Sequence, residues 1–196
     1  MALDKYIEKS EHQLVGVQCC IMYQYVSMFG KKGHTFLLDC STMKINYVKI
    51  DLKDYEFALI NSKIHHELSS SAYNERRKLC ESVAKKLGVL NVSEQNETSF
   101  LNQRSKLPLN EFTKVNYVVS ENERVLSAFQ SLGKGEIVEF GTLLNATRFG
   151  LQHKYEVSCP EIDFLVDQTR KSGVIVGSRV IGGGFVGCSL NLIHKG

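Results

Sequence analysis

The 196-residue sequence lacks the features that mark several broad classes of protein. No apolar run approaches the roughly 20 residues of a membrane-spanning helix. The charged segment 1–13 has no apolar centre of the kind found in a secretory signal peptide. An excess of charge is also missing, since 24 basic residues face 21 acidic ones, for a formal net charge of +3. These absences argue against a membrane, and against nucleic acid, as the partner. Mixed clusters such as residues 74–78 are expected to be solvated surface.

The cysteines and histidines also lack the spacing of a metal site. The sequence has no C-x-x-C pair, so it predicts neither a zinc site nor the disulfide framework of a secreted domain. The segment His65–Glu67 cannot chelate as H-E-x-x-H does, because consecutive extended residues point to opposite sides. Apolar surroundings favour buried free thiols in a reducing compartment, and we therefore expect a cytoplasmic protein. The cysteines are Cys19, Cys20, Cys40, Cys80, Cys159 and Cys188.

Hydrophobic periodicity predicts strands at both ends of the chain and helices between them. The segment 91–105 is polar and without period, and is interpreted as a loop or a weak helix. This order favours an α+β fold over alternating α/β. The predicted strands are a hairpin at 34–39 and 45–50, a short buried strand at 57–60, and two strands at 174–180 and 188–193. The predicted helices lie at 2–13, 69–87, 109–133 and 137–152, with a last one that a capping box at 158–161 begins and Gly173 ends.

The glycine run 182–187 formally matches the G-x-G-x-x-G pattern of dinucleotide-binding proteins. That pattern needs a helix after the glycines and an acidic residue about 20 positions later. Here a predicted strand follows, and no Gly-Lys-Ser/Thr completes a phosphate-binding loop. Dinucleotide binding is therefore disfavoured, and a turn that packs against another backbone is the simplest interpretation.

The glycine run and four other segments of the sequence together resemble one protein family. Five segments resemble galactokinase, in that family's order and at its approximate spacing: 16–24, 33–40, 61–77, 155–161 and 182–187. The chain is therefore identified as a member of the GHMP kinase superfamily. The resemblance implies an α+β GHMP kinase C-terminal domain, with mixed or antiparallel strands and a helical layer, at 56–196. A remnant of the N-terminal kinase domain, comprising a helix and a hairpin, is implied at 1–55.

The implied activity is ATP-dependent phosphorylation of galactose at its C1 hydroxyl, with ATP and Mg²⁺ as cofactors. Of the family's three main motifs, this sequence holds only the last. It lacks a sugar-binding segment like G-R-T-E-H-T-D-Y-N-G-G and a phosphate loop like P-x-G-x-G-L-S-S-S-A, for which Ser69–Ser71 is no substitute. We expect an inactive C-terminal portion, truncated at both ends. The alternatives are a non-catalytic sugar-binding or regulatory homologue, and one half of a split kinase.

The resemblance also assigns site positions. Cys20 and Tyr23 stand where the family has a glycine and a catalytic aspartate that contact the sugar, and Tyr73 matches a sugar-contacting tyrosine. Gly182, Gly183 and Gly184 match the glycine loop near the reacting groups, with Val186 in place of a further glycine. Galactose lies between two halves in this family. A galactose-like sugar is thus the implied ligand, and self-association or an N-terminal-half partner is expected to cover an exposed apolar face.

Tyr23 decides how this site is interpreted. An aspartate is ionised at neutral pH and can accept a proton, whereas a tyrosine with a reference pKa of about 10 is protonated and a poor base. The phenol would also project into the sugar pocket. We favour a drifted residue that fills a dead pocket, with a remodelled ligand site as the alternative.

Overall fold

The computed structural model describes residues 21–63, 69–171, 173–182, 184 and 187–196. The expected order of strands, helices and strands is confirmed, and the fold is α+β. Short 3-10 turns at Val92–Glu94 and Arg104–Lys106 join some of the elements. The elements are α1 Met22–Phe29, β1 His34–Asp39, β2 Lys44–Lys49, β3 Tyr55–Asn61, α2 Ser69–Leu87, α3 Glu97–Leu101, α4 Leu109–Lys134, α5 Ile137–His153, α6 Pro160–Lys171, β4 Ile175–Ile181 and β5 Cys188–His194.

The strands form two antiparallel sheets. β1 and β2 pair as the predicted hairpin, with His34 opposite Lys49. β3, β5 and β4 form a second sheet in that order, so the chain's last strand lies at the centre. The hairpin packs on the helices, since Val48 and Leu52 contact the core cluster that contains Leu132 of α4. The division at 1–55 and 56–196 remains a prediction.

Helix α5 lies almost in backbone contact with β4. A Cβ built on Gly177 would lie 2.4 Å from the carbonyl oxygen of Gly141, so neither strand nor helix leaves room for a side chain there. One turn further along α5, Asn145 donates to the carbonyl of Val176 (3.0 Å) and accepts from the amide of Ser178 (3.1 Å). Its side chain thus occupies the outer edge of β4, which would otherwise present unpaired backbone groups.

A buried polar network joins the three strands of this sheet. Ser178 and Asn191 are fully buried, and the hydroxyl of Ser178 donates to Asn191 Oδ1 (2.7 Å). The amide nitrogen of Asn191 donates to Ser189 Oγ (3.0 Å) and to the carbonyl of Ala58 on β3 (3.3 Å). Because each of these groups has a partner, burial carries little penalty and the strand register is fixed.

Helices α2, α3 and α4 enclose a separate core. Phe100 of α3 is fully buried and stacks on Phe112 of α4, with ring centroids 5.2 Å apart. The segment predicted as a loop or weak helix is therefore ordered, because a capping box at Asn96 and Ser99 begins α3 and Phe100 anchors it. No helix in the described ranges is long and apolar enough to cross a membrane.

Two expectations about burial are wrong. The strand predicted as buried, β3, leaves Phe57 38% and Leu59 63% exposed, because β3 is an edge strand and α5 packs on β4 at the other edge. Cys40 is exposed because it lies in the turn between β1 and β2, whereas Cys80, Cys159 and Cys188 are half-buried.

The capping box predicted at 158–161 is also corrected. Helix α6 begins at Pro160, which suits the first turn because it lacks an amide hydrogen. Ser158 instead donates from its hydroxyl to Asp163 Oδ1 at 2.5 Å. The residues Ile162 and Val166 are buried, as the predicted apolar face requires. Helix 2–13 and the segment His65–Glu67 lie outside the described residues.

The contact between α5 and β4 predicts a large effect of a small substitution. Gly177→Ala places a methyl group against the Gly141 backbone, which cannot move aside as a flexible side chain can. We expect the free energy of unfolding to fall by about 1–3 kcal/mol, as overpacking does. Urea denaturation followed by circular dichroism measures this. Gly196→Ala is the control, since a Cβ there meets nothing within 4 Å. Equal stability of the two variants would contradict the contact.

Candidate functional site

A cavity of about 330 Å³ opens between α2 and the end of β4. One face of α2 forms its first wall, since its four lining residues follow the three- and four-residue spacing of a helix. The end of β4 and the glycine turn form the second wall, and the end of α5 with the segment after it forms the third. We call it the α2–β4 cavity; it is lined by Tyr73, Arg76, Arg77, Cys80, Leu151, Tyr155, Val157, Arg179, Val180, Gly182 and Gly184.

The glycine turn between β4 and β5 needs its glycines for two reasons. Gly182 and Gly184 have φ values of +101° and +82°, which side-chain-bearing residues rarely adopt. A Cβ built on Gly184 would also lie 2.8 Å from both the Cβ and the carbonyl oxygen of Val157. The turn thus packs against backbone, as the sequence predicted, and at the same time borders the α2–β4 cavity.

Tyr23 lies next to this turn. It belongs to the first turn of α1, and its side chain is 53% exposed. A Cβ built on Gly182 would lie 3.9 Å from the hydroxyl oxygen of Tyr23. The structure therefore brings Tyr23 to Gly182, and brings Tyr73, Gly182 and Gly184 to one cavity. The other site residues named from the sequence, Cys20, Gly183 and Val186, lie outside the described residues.

Arg76 corrects the expectation that the mixed-charge cluster 74–78 is solvated. Its side chain is 18% exposed. The guanidinium donates to the carbonyls of Tyr155 (2.9 Å) and Glu156 (3.3 Å), so it ties α2 to the segment after α5. Glu156 also pairs with Lys114 at 2.7 Å. The hydrogen bond and charge of Lys114, together with the charge of Arg76, hold the pKa of Glu156 below its usual range.

Cys80 and Tyr155 form a neutral pair in the cavity wall. The thiol and the phenol lie close enough for each to influence the pKa of the other. Burial, as the largest cause, raises the pKa of both groups, so both stay protonated at neutral pH. The ionised groups among the described lining residues are therefore the arginines. No described set of three or more His, Cys, Asp or Glu residues is arranged to hold a metal ion.

Sequence reasoning missed part of this cavity. Arg76, Arg77 and Cys80 follow Tyr73 at helical spacing, a signal that was available because 69–87 was predicted as a helix. Tyr155, Val157 and Arg179 reach the cavity only through the packing of α5 and β4, and no local pattern marks them.

Comparison with known proteins identifies the relatives of this chain. No protein-family model matches it. The galactokinase of Thermotoga petrophila is 41% identical over 196 residues, which are all of this chain and 55% of that protein. The galactokinase of Bos taurus is 34% identical over 187 residues, 95% of this chain and 48% of that protein. The chain is a homologue of the C-terminal half of galactokinases.

Two solved structures are also similar to this chain. Lactococcus lactis galactokinase complexed with galactose superposes with a TM-score of 0.93 at 28% identity, over 98% of this chain and 51% of that one. Mevalonate kinase from L. major in complex with R-mevalonate gives a TM-score of 0.51 at 18% identity, over 81% of this chain and 39% of that one, which shows the fold alone. This galactokinase homologue spans about half the length of the curated relatives it matches.

The neutral Cys80–Tyr155 pair predicts a slow thiol. Because the pKa of Cys80 is raised, less thiolate is present at pH 8, and we expect Cys80 to react with iodoacetamide at least about tenfold more slowly than exposed Cys40. Site-resolved mass spectrometry of the labelled protein measures both rates. Tyr155→Ala should accelerate labelling of Cys80 by opening its surroundings, while Cys40 serves as the internal control. Equal rates for the two cysteines in the folded protein would contradict the burial of the Cys80 thiol.

Proposed function

We propose that this chain is the C-terminal portion of a galactokinase-type phosphotransferase and that its 196 residues alone do not phosphorylate galactose. The observation that carries the proposal is the position of Tyr23, whose hydroxyl lies beside Gly182 at the glycine turn. Homology to galactokinases supplies the reaction class. The position of Tyr23 supplies the reason for inactivity, since the resemblance puts the family's catalytic aspartate there.

In this proposal the sugar contacts are Tyr73, Tyr23, Cys20 and the glycine turn at 182–184. Support comes from the meeting of Tyr73, Gly182 and Gly184 at one cavity. The Lactococcus lactis relative, which was solved with galactose, superposes on nearly the whole chain. A galactose-like sugar is therefore the proposed ligand of the mouth of the α2–β4 cavity.

Tyr23 cannot replace a carboxylate in proton transfer. A phenol is protonated at neutral pH, so it can donate a hydrogen bond to a sugar hydroxyl but accepts its proton poorly. Loss of a general base lowers the rate by about 10²- to 10⁴-fold. The tyrosine thus removes most of the rate of transfer, while its hydroxyl can still donate a hydrogen bond to a sugar.

The glycine turn does not fit the phosphates of ATP. The glycine turn leads into β5 and not into a helix N-terminus, where backbone amides would face a phosphate. The sequence also contains no P-x-G-x-G-L-S-S-S-A loop. The family implies ATP and Mg²⁺, and we propose that residues outside this chain hold both. A cytoplasmic location likewise remains a prediction.

A split kinase is the second candidate, and exposed apolar surface favours it. Met22, Val26 and Met28 of α1 are between 42% and 50% exposed, and Phe57 and Leu59 lie on edge strand β3. Exposed apolar surface of this kind is typical of a protein–protein interface. We propose an N-terminal half as its partner, with self-association as the state of the chain without that partner.

Kinase and binding measurements test the proposed function. We expect no galactose phosphorylation by the chain with ATP and Mg²⁺ in a coupled assay that detects the Thermotoga petrophila relative as a positive control. Turnover by this chain alone would overturn the claim of inactivity. Adding the N-terminal half of that relative in trans tests the split kinase, and the appearance of activity would favour it.

A single reversion should not restore transfer. Tyr23→Asp returns a carboxylate to the glycine turn but supplies no phosphate loop, so we expect activity to stay undetectable in the same assay. Calorimetry with millimolar galactose on both forms separates binding from transfer. Measurable phosphorylation by Tyr23→Asp would show that this one side chain limits activity. Phe164→Asp, which changes an aromatic residue of similar exposure (61%) on α6, controls for a nonspecific effect of the added charge.

A further inference from the structure

The α2–β4 cavity has a charge asymmetry that a neutral sugar does not require. Three of its described lining residues are arginines, and none is an aspartate or glutamate. Its remaining polar side chains, Tyr73, Tyr155 and Cys80, are phenols and a thiol. Guanidinium groups remain charged at any physiological pH. The described lining therefore contains three cationic groups and no carboxylate, while Glu156 and Glu81 outside the lining pair with Arg76 and Arg77.

The three arginines differ in how far their hydrogen-bonding capacity is used. Arg76 is engaged by two backbone carbonyls and by Glu156. Arg77 is 41% exposed and pairs with Glu81, four residues along α2, at 3.1 Å. Arg179 donates from Nε to the carbonyl of Val180 (3.1 Å), and its two terminal nitrogens have no partner among the described residues. The terminal nitrogens of Arg179 are thus available to donate hydrogen bonds into the cavity.

The nearby carboxylate of Glu121 does not neutralise Arg179. Both groups act electrostatically on the phenol of Tyr117, so they lie in the same region. Glu121, however, is ion-paired with Arg124 and accepts a hydrogen bond of 2.5 Å from Thr147. Its charge is therefore already compensated, and Arg179 remains available to a ligand.

The backbone holds Arg179 in place. It lies within β4, opposite Leu190 of the central strand, and Asn145 fixes the neighbouring residue Ser178. A guanidinium that is anchored in this way offers two parallel N–H groups that match an oxyanion, at a small entropic cost. Apolar neighbours complete the surroundings and strengthen such a contact by excluding water. They are Leu151, Val157 and Val180.

We propose that the α2–β4 cavity binds the oxyanion of an anionic monosaccharide, with Arg179 as its anchor. The volume of about 330 Å³ is at the small end of ligand sites and suits one sugar unit with its substituent. The inference that the ligand is a sugar rests on the proposed function, through Tyr73 and Gly182. The binding of the anionic substituent rests on Arg179 alone. The substituent is a phosphate or a carboxylate, which share this chemistry.

Calorimetry on the full chain at fixed ionic strength tests the proposal with four probes: inorganic phosphate, galactose 1-phosphate, galacturonate and galactose. We expect at least one anionic sugar to bind more tightly than galactose. Arg179→Gln should weaken its binding by about tenfold or more and leave galactose unchanged. The affinity of Arg179→Lys for that sugar should lie between those of the unmodified chain and Arg179→Gln, because lysine keeps the charge but loses the paired donors. Arg104→Gln, the same change beside Phe112 in the other core, is the matched control.

The outcomes separate this inference from the proposed function. Anion binding that Arg179→Gln abolishes supports the inference even if galactose fails to bind, and preference among the probes identifies phosphate or carboxylate. Three results overturn it: no anionic probe binds, neither anionic sugar binds more tightly than galactose, or Arg179→Gln leaves anion binding intact. Thermal melting establishes that each variant is folded. If Arg179→Gln does not fold, Arg179→Lys is used in its place. Unchanged affinity of Arg179→Lys for the anionic sugar also overturns the proposal.

Discussion

The close contact between Gly141 of α5 and Gly177 of β4 is the constraint on which the site depends. It lets the helix approach the strand so closely that Asn145 reaches the strand's backbone and closes its outer edge. The end of β4 then has a fixed position relative to the end of α5. Both ends line the α2–β4 cavity, so a contact without any functional side chain sets the distance across the site.

The cavity is assembled from parts of the chain that are far apart in sequence, and two contacts hold them in place. Arg76 fastens α2 to the carbonyls of Tyr155 and Glu156. Gly184 lets the turn after β4 rest on Val157. The segment 155–157 is therefore the common support of both walls. Rigid support of this kind is what a binding site needs, because a ligand then meets groups that are already positioned.

Local sequence patterns predicted most of the fold but only part of the site. Hydrophobic periodicity and glycine stops predicted the long helices and the β1–β2 hairpin, because those signals act within one element. The exposure of Leu59 was missed because it depends on which strand lies beside β3 and on where α5 packs. Arg76 was interpreted as solvated for the same reason, since its partners are about 80 residues away. Tyr23, Tyr73 and the glycine turn were found through a family resemblance, and Arg179 was not found at all.

Tyr23 and Arg179 bear on both proposals, the binding of a ligand and the absence of transfer. Proton transfer from a sugar hydroxyl needs a base, and the described groups around the α2–β4 cavity are phenols, a protonated thiol and guanidinium ions, none of which accepts a proton readily. The same groups are all hydrogen-bond donors. A site with donors and no base retains the means to hold an oxygen-rich, negatively charged ligand while it lacks the means to activate one. The chemistry of these side chains therefore favours retention of a ligand over its conversion.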